Sequence, residues 1–110
     1  MKPQRNLIEQ AISDVRDTFP FPQLFEETEE KVRTIANLLQ ELDSGGRLLD
    51  IGCGALDKTT VLQRLCYECF ACDDFQDPCH RHPANPGPLL TFTRENGVQI
   101  RELGDCGYSL

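Results

Sequence analysis

The sequence has no apolar run approaching the roughly 20 residues that a membrane-spanning helix needs, so no such span is expected. It is also short of positive charge. Eleven Lys and Arg face eighteen Asp and Glu, for a net charge of −7 at pH 7. That balance repels phosphate backbones and anionic lipid, which argues against a nucleic-acid coat or a membrane-surface role. The opening residues, Met1-Lys2-Pro3-Gln4-Arg5-Asn6, have no apolar stretch behind them that could act as a signal sequence. A soluble, cytoplasmic chain is therefore expected. Outside a secretory setting, the six cysteines are expected to be reduced, which leaves metal binding or packing for them.

What remains is 110 residues, 39% hydrophobic and 26% charged, within the range of an ordinary globular domain. A core of that size can hold a binding site but leaves little material for a separate substrate domain. There is no internal repeat and no low-complexity tract.

Helical periodicity opens the chain. Leu7, Ile8, Ala11, Ile12 and Val15 recur as the apolar side of an amphipathic helix over residues 6–17. Thr18-Phe19-Pro20-Phe21-Pro22 ends it, since proline lacks an N–H and biases its predecessor to extended backbone. The aromatic residues there are expected to dock the linker on the body. A second helix is expected from Gln23, with Glu26, Glu27, Glu29 and Glu30 in its early turns. Its stripe is Val32, Ile35, Leu38, Leu39 and Leu42, with Gly45-Gly46 as the stop.

The period then changes. Residues 47–51, Arg-Leu-Leu-Asp-Ile, form a short, mostly apolar run like a buried parallel strand. Asp57 is placed to cap a helix over residues 58–65, and residues 67–72 read as a second strand ending in Asp73-Asp74. The proline-rich stretch 75–88 reads as loop. A short helix over 89–95 is closed by Asn96-Gly97, and the alternation of residues 98–103 makes a third strand. The order β-α-β-α-β predicts a parallel sheet with right-handed crossovers, preceded by two helices. Residues 1–46 form the helical segment and residues 47–110 the sheet-bearing domain.

Chemistry concentrates where the first strand runs into Gly52-Cys53-Gly54 and then a helix. Glycines there permit positive φ and close approach of a ligand to the backbone, and the helix start offers free N–H groups. Asp73 follows Asp50 by 23 positions, at the end of the second strand. A carboxylate at that place can accept both hydroxyls of a ribose. In an open parallel sheet both elements share the carboxyl edge, where ligands bind.

These residues resemble the class I S-adenosylmethionine-dependent methyltransferases over residues 47–106. Leu48-Leu49-Asp50-Ile51-Gly52-Cys53-Gly54 is similar to their first motif, which holds the methionine end of the cofactor. The resemblance implies an α/β, Rossmann-like three-layer sandwich and transfer of a methyl group from S-adenosyl-L-methionine to an acceptor. It implies backbone contacts from Gly52, Cys53 and Gly54, with Asp50 orienting the loop and amino-acid moiety. Asp73 matches the acid that grips the ribose, Asp74 and Phe75 fall beside the adenine, and Asp105 matches an acid that reaches the adenine amino group.

There are two departures. Where the family often carries a third glycine, two positions after Gly54, this chain has Leu56. The family's sheet also continues through further strands that supply catalytic and substrate-binding residues, so the chain is expected to be the cofactor-binding part only, completed by a partner chain or self-associated. A catalytically silent nucleotide-binding or assembly module that keeps only the fold is the first alternative. A Cys/His metal protein is the second. Cys66, Cys69, Cys72, Cys79, His80 and His82 have short spacings, but Cys69 and Cys72 fall on opposite faces of a strand and behave as small hydrophobes.

Overall fold

The structure, a computed structural model, describes residues 3–42, 46–51, 53, 56–65, 67–73 and 87–102. Two helices come first, α1 (Pro3–Thr18) and α2 (Pro22–Leu42). Strand β1 (Gly46–Ile51), helix α3 (Asp57–Arg64), strand β2 (Tyr67–Asp73), helix α4 (Gly87–Glu95) and strand β3 (Gln99–Glu102) follow. The strands make one parallel sheet in the order β1-β2-β3. Its register sets Leu48 beside Cys69, Asp50 beside Ala71 and Ala71 beside Ile100. No helix among the described residues is long and apolar enough to cross a membrane.

Alternation along β2 decides which face is covered. Tyr67, Cys69, Ala71 and Asp73 are buried, whereas Glu68 is exposed and Phe70 and Cys72 are half-buried. Successive strand side chains point to opposite faces, so the first set faces the helices. Tyr67 accepts a hydrogen bond at its hydroxyl from Gln40 of α2 at 3.1 Å, and α3 lies along β2. Arg64 at the end of α3 donates to Asn96 after α4 at 2.8 Å. Phe19, between α1 and α2, meets Phe25 at 5.5 Å and Phe92 of α4 at 5.6 Å between ring centres. The helices thus share one core with a single face of the sheet. The proline-flanked aromatics dock on that core as expected.

Charge ties the first two helices together. Arg33 of α2 pairs with Glu9 of α1 at 2.6 Å and with Glu29 at 3.0 Å, and it also bonds Glu30. Arg16 reaches Glu29 at 3.0 Å. Burial opposes ionisation of Glu29, but the hydrogen bonds from Arg16 and Arg33 hold its carboxyl below the usual carboxylate range.

Several sequence expectations need correction. In α1, Ile8, Ala11, Ile12 and Val15 are buried, but Leu7 is exposed. In α2, the core-facing residues are Phe25, Val32 and Ala36, whereas Leu38 is 55% and Leu42 is 82% exposed. Asp57 does not cap α3: it is the first helical residue, and Leu56 precedes it at the cap position. Helix α4 begins at Gly87-Pro88, earlier than expected, because proline is tolerated in a first turn where its missing N–H would have no partner. Gly97 closes that helix with φ +96°, as its Asn-Gly signal implied.

Candidate functional site

Parallel pairing of β1 and β2 brings the two strand-end acids to one edge. Asp50 lies beside Ala71, two residues before Asp73, and both acids face the helical layer. Asp73 is only 4% exposed. Cys53 continues the line of β1: its N–H donates to the carbonyl of Cys72 at 3.4 Å, so the turn stays laced to β2. The buried thiol of Cys53 sits well above the ordinary thiol range. Burial is the main cause, and the carboxylates of Asp50 and Asp73 add to it. Both acids therefore act on the same atom, which puts the Cys53 thiol in the field of the two strand ends.

Beyond Cys53 the chain turns sharply. The N–H of Leu56 donates to the carbonyl of Cys53 at 3.2 Å, and Leu56 adopts the left-handed conformation at φ 63° and ψ 3°. A non-glycine residue there carries a cost of about 1–2 kcal/mol, and a leucine more than an asparagine. Complete burial of its side chain holds it in place. This is the position of the absent third glycine, so the turn takes a glycine's backbone shape with a leucine in it.

Helix α3 starts directly from this turn and returns to the acids. Thr59 donates its hydroxyl to Oδ2 of Asp50 at 2.7 Å, and Lys58 Nζ lies 3.3 Å from the same oxygen. Asp57 accepts from the N–H of Lys58 at 2.8 Å and from the hydroxyl of Thr28 on α2. Thr60 caps back to the carbonyl of Leu56 at 2.7 Å. Asp50 is thus fixed by the helix that follows the turn, an orienting carboxylate with its oxygens committed to protein donors. Lys58, Thr59 and Thr28 were missed in the sequence reading. For Lys58 and Thr59 the signal was the run Asp57-Lys58-Thr59-Thr60 shortly after the glycine turn, where a helix start places an ammonium and a hydroxyl near the strand end; Thr28, far away in the sequence on α2, gave no such signal.

A cavity of about 200 Å³ adjoins Asp50, Lys58 and Thr59. Ile35 and Leu39 of α2, Leu48 and Leu49 of β1, and Leu62 of α3 form its apolar wall, and Cys69 lies at its floor. Burial, helped by the Asp50 carboxylate, pushes the Cys69 thiol up to about 12.

The structure brings Asp50, Cys53 and Asp73 together. Gly52, Gly54, Asp74, Phe75 and Asp105 lie outside the described residues, as do Cys66, Cys79, His80 and His82. Among the described residues, no three His, Cys, Asp or Glu side chains come together as ligands for a metal ion. Compared with known proteins, the chain matches no family model, no curated protein and no solved structure.

Proposed function

We propose that the chain is the cofactor-binding part of an S-adenosylmethionine-dependent methyltransferase of class I, built as a Rossmann-like half-sheet of a three-layer sandwich. One observation carries the reading: Asp50 and Asp73, at the carboxyl ends of adjacent parallel strands, flank the turn at Cys53. Ligands bind in open parallel sheets at that edge, and an acid at the end of the second strand suits ribose hydroxyls. The strand order β1-β2-β3, with β1 at an edge, also suits the first half of a doubly wound sheet. So does the left-handed backbone at Leu56, where this class often has glycine.

The residues fit the group in their donor chemistry. Asp73 would accept the ribose hydroxyls. The backbone of Gly52, Cys53 and Gly54 would follow the methionine end, close to the start of α3. Asp50, held by Lys58 and Thr59, keeps the turn in position rather than reaching the ligand through free oxygens. Asp74 and Phe75 are proposed beside the adenine, and Asp105 at its amino group. S-adenosyl-L-methionine would supply a methyl group already activated on a sulfonium, so the protein's share is binding and alignment with an acceptor.

Calorimetric titration of the reduced full chain with S-adenosylhomocysteine tests this, with NAD as comparison ligand and Asp73→Ala as control. Binding by the wild type that is lost in Asp73→Ala, with no binding of NAD, is expected. Absence of both heat and thermal stabilisation in a folded protein would overturn the proposal and leave the non-catalytic module as the reading.

A further inference from the structure

Behind Asp50, on the helical side of β1, lies the cavity of about 200 Å³, which neither Cys53 nor Asp73 lines. Cys69 and Leu62 bound it from within, and both are buried. Ile35 and Leu39 of α2 and Leu48 of β1, all half-buried, complete its apolar wall. Leu49 is 66% exposed and also lines it, so the cavity opens at the edge of β1. Apart from the thiol, these walls are hydrocarbon. Water needs two to four polar partners to settle in a cavity, and such walls supply none. A cavity of roughly 150 Å³ with aliphatic and aromatic walls stays dry and takes benzene or xenon.

Polar groups are confined to one end, where Asp50, Lys58 and Thr59 meet. Thr59 donates to Oδ2 of Asp50 at 2.7 Å, and Lys58 Nζ lies 3.4 Å from Oδ1 and 3.3 Å from Oδ2. Carboxylate and ammonium cancel, so this end carries no net charge. Hydrogen-bonding capacity is left over all the same. An ammonium has three N–H donors, of which the two oxygens of Asp50 engage at most two, and the Thr59 hydroxyl oxygen can still accept. The Lys58 side chain is 32% exposed, so its ammonium is only partly enclosed.

We infer that this cavity binds a small neutral molecule with an apolar body and one hydroxyl, the hydroxyl lying at the Asp50–Lys58 pair. The volume limits the body to a single ring or a branched chain of about six carbons. The hydroxyl accepts from Lys58 and donates to Thr59, which uses the capacity the ion pair leaves. Neutrality follows from the balance of that pair. An anionic head would face the Asp50 carboxylate and a cationic one the Lys58 ammonium, and neither would recover its cost of desolvation. The inference does not rest on the cofactor reading: its probes are titrated without cofactor, so either can fail alone.

Titration of the reduced full chain with 4-fluorophenol at neutral pH, followed by fluorine NMR, tests it, with fluorobenzene and 4-fluorobenzoate as comparison probes. One saturable site with a Kd of roughly 0.1–1 mM is expected for 4-fluorophenol, the range open to so small a ligand. Fluorobenzene, which lacks the hydroxyl, should bind roughly threefold more weakly, and 4-fluorobenzoate roughly tenfold. Ile35→Trp fills the cavity from α2 and should weaken 4-fluorophenol by roughly tenfold or more, with folding checked by circular dichroism. Lys58→Met keeps the aliphatic stem without the donor and should bring 4-fluorophenol down to the level of fluorobenzene. In the wild type, amide shift changes should centre on Ile35, Leu39, Thr59, Leu62 and Cys69, which keeps the test open if Ile35→Trp does not fold. Absence of saturable binding, undiminished binding by folded Ile35→Trp, or shift changes centred elsewhere would overturn the inference. Tighter binding of 4-fluorobenzoate, or a Lys58→Met variant that still prefers the phenol to fluorobenzene, would equally overturn it.

Discussion

The hydroxyl of Thr59 donates to Oδ2 of Asp50 at 2.7 Å, which ties the first turn of α3 to the end of β1 across the intervening turn. Thr59 is buried, and Lys58 shares the same carboxylate. Removing the carboxylate leaves a buried hydroxyl without its acceptor and an ammonium without its partner. Asp50→Ala should therefore lower the unfolding free energy by about 2 kcal/mol, while Asp50→Asn, which keeps an acceptor for Thr59, should cost less than half of that. Urea denaturation of the three proteins checks the order. Equal losses in Ala and Asn would show that the hydroxyl bond contributes little.

Leu56 offers a test in which the usual ranking of residues reverses. Its backbone is left-handed and its side chain is fully buried. Both Leu56→Ala and Leu56→Gly lose the burial, about 2–4 kcal/mol. Glycine, however, also removes the strain that alanine keeps. Leu56→Gly should be more stable than Leu56→Ala by about 1 kcal/mol, opposite to the order inside a helix or strand. Thermal melts of the two variants decide it, and a more stable alanine variant would mean that the turn is not held in this conformation.

Element types were legible in the sequence because pattern and punctuation agreed. Alternation and short apolar runs marked β1, β2 and β3, and the Pro-flanked aromatics and Asn96-Gly97 marked helix ends. The acids were legible too, since the 23-residue interval from Asp50 to Asp73 is one β-α-β unit, and parallel register does the rest. The orientation of α2 was not. Periodicity counts Leu38 and Leu42 as core, but the small Ala36 and the early Phe25 are what face α1 and α3. A one-dimensional stripe cannot say which of two adjacent sides meets the body. Lys58 and Thr59 were missed for a related reason: only the turn through Leu56 brings them back, eight and nine residues along, onto Asp50.

Gly97 links a helix end to the sheet. Its φ of +96° disfavours any side chain, and a Cβ there would lie 3.1 Å from Nε2 of Gln63. The same Gln63 amide accepts the N–H of Cys69 through Oε1 at 2.8 Å. Gly97→Ala thus strains the turn and pushes an amide that is already committed to β2. A loss of about 1–2 kcal/mol is expected. In Gly97→Ala with Gln63→Ala the contact disappears, so the combined loss should fall short of the sum of the single losses. Additive losses would mean that the backbone conformation alone sets the cost.

Cys69 makes stability depend on alkaline pH, with a definite sign. Burial raises its thiol from an ordinary 9.0 to about 12 in the folded chain. Below pH 9 both folded and unfolded states hold the proton, and the buried neutral thiol contributes its full stability. Above that, the unfolded chain releases the proton while the folded chain keeps it, so stability falls as pH rises, until the folded thiol also ionises near pH 12. The slope for one such thiol is about 1.4 kcal/mol per pH unit. Cys53, displaced upward by burial and by the Asp50 and Asp73 carboxylates, falls in the same direction. Cys69→Ala should start less stable at neutral pH, because of the lost packing, but lose less than the wild type when urea midpoints are compared at about pH 7.5 and 10.5. Parallel losses in the two proteins would show that Cys69 does not carry the alkaline dependence.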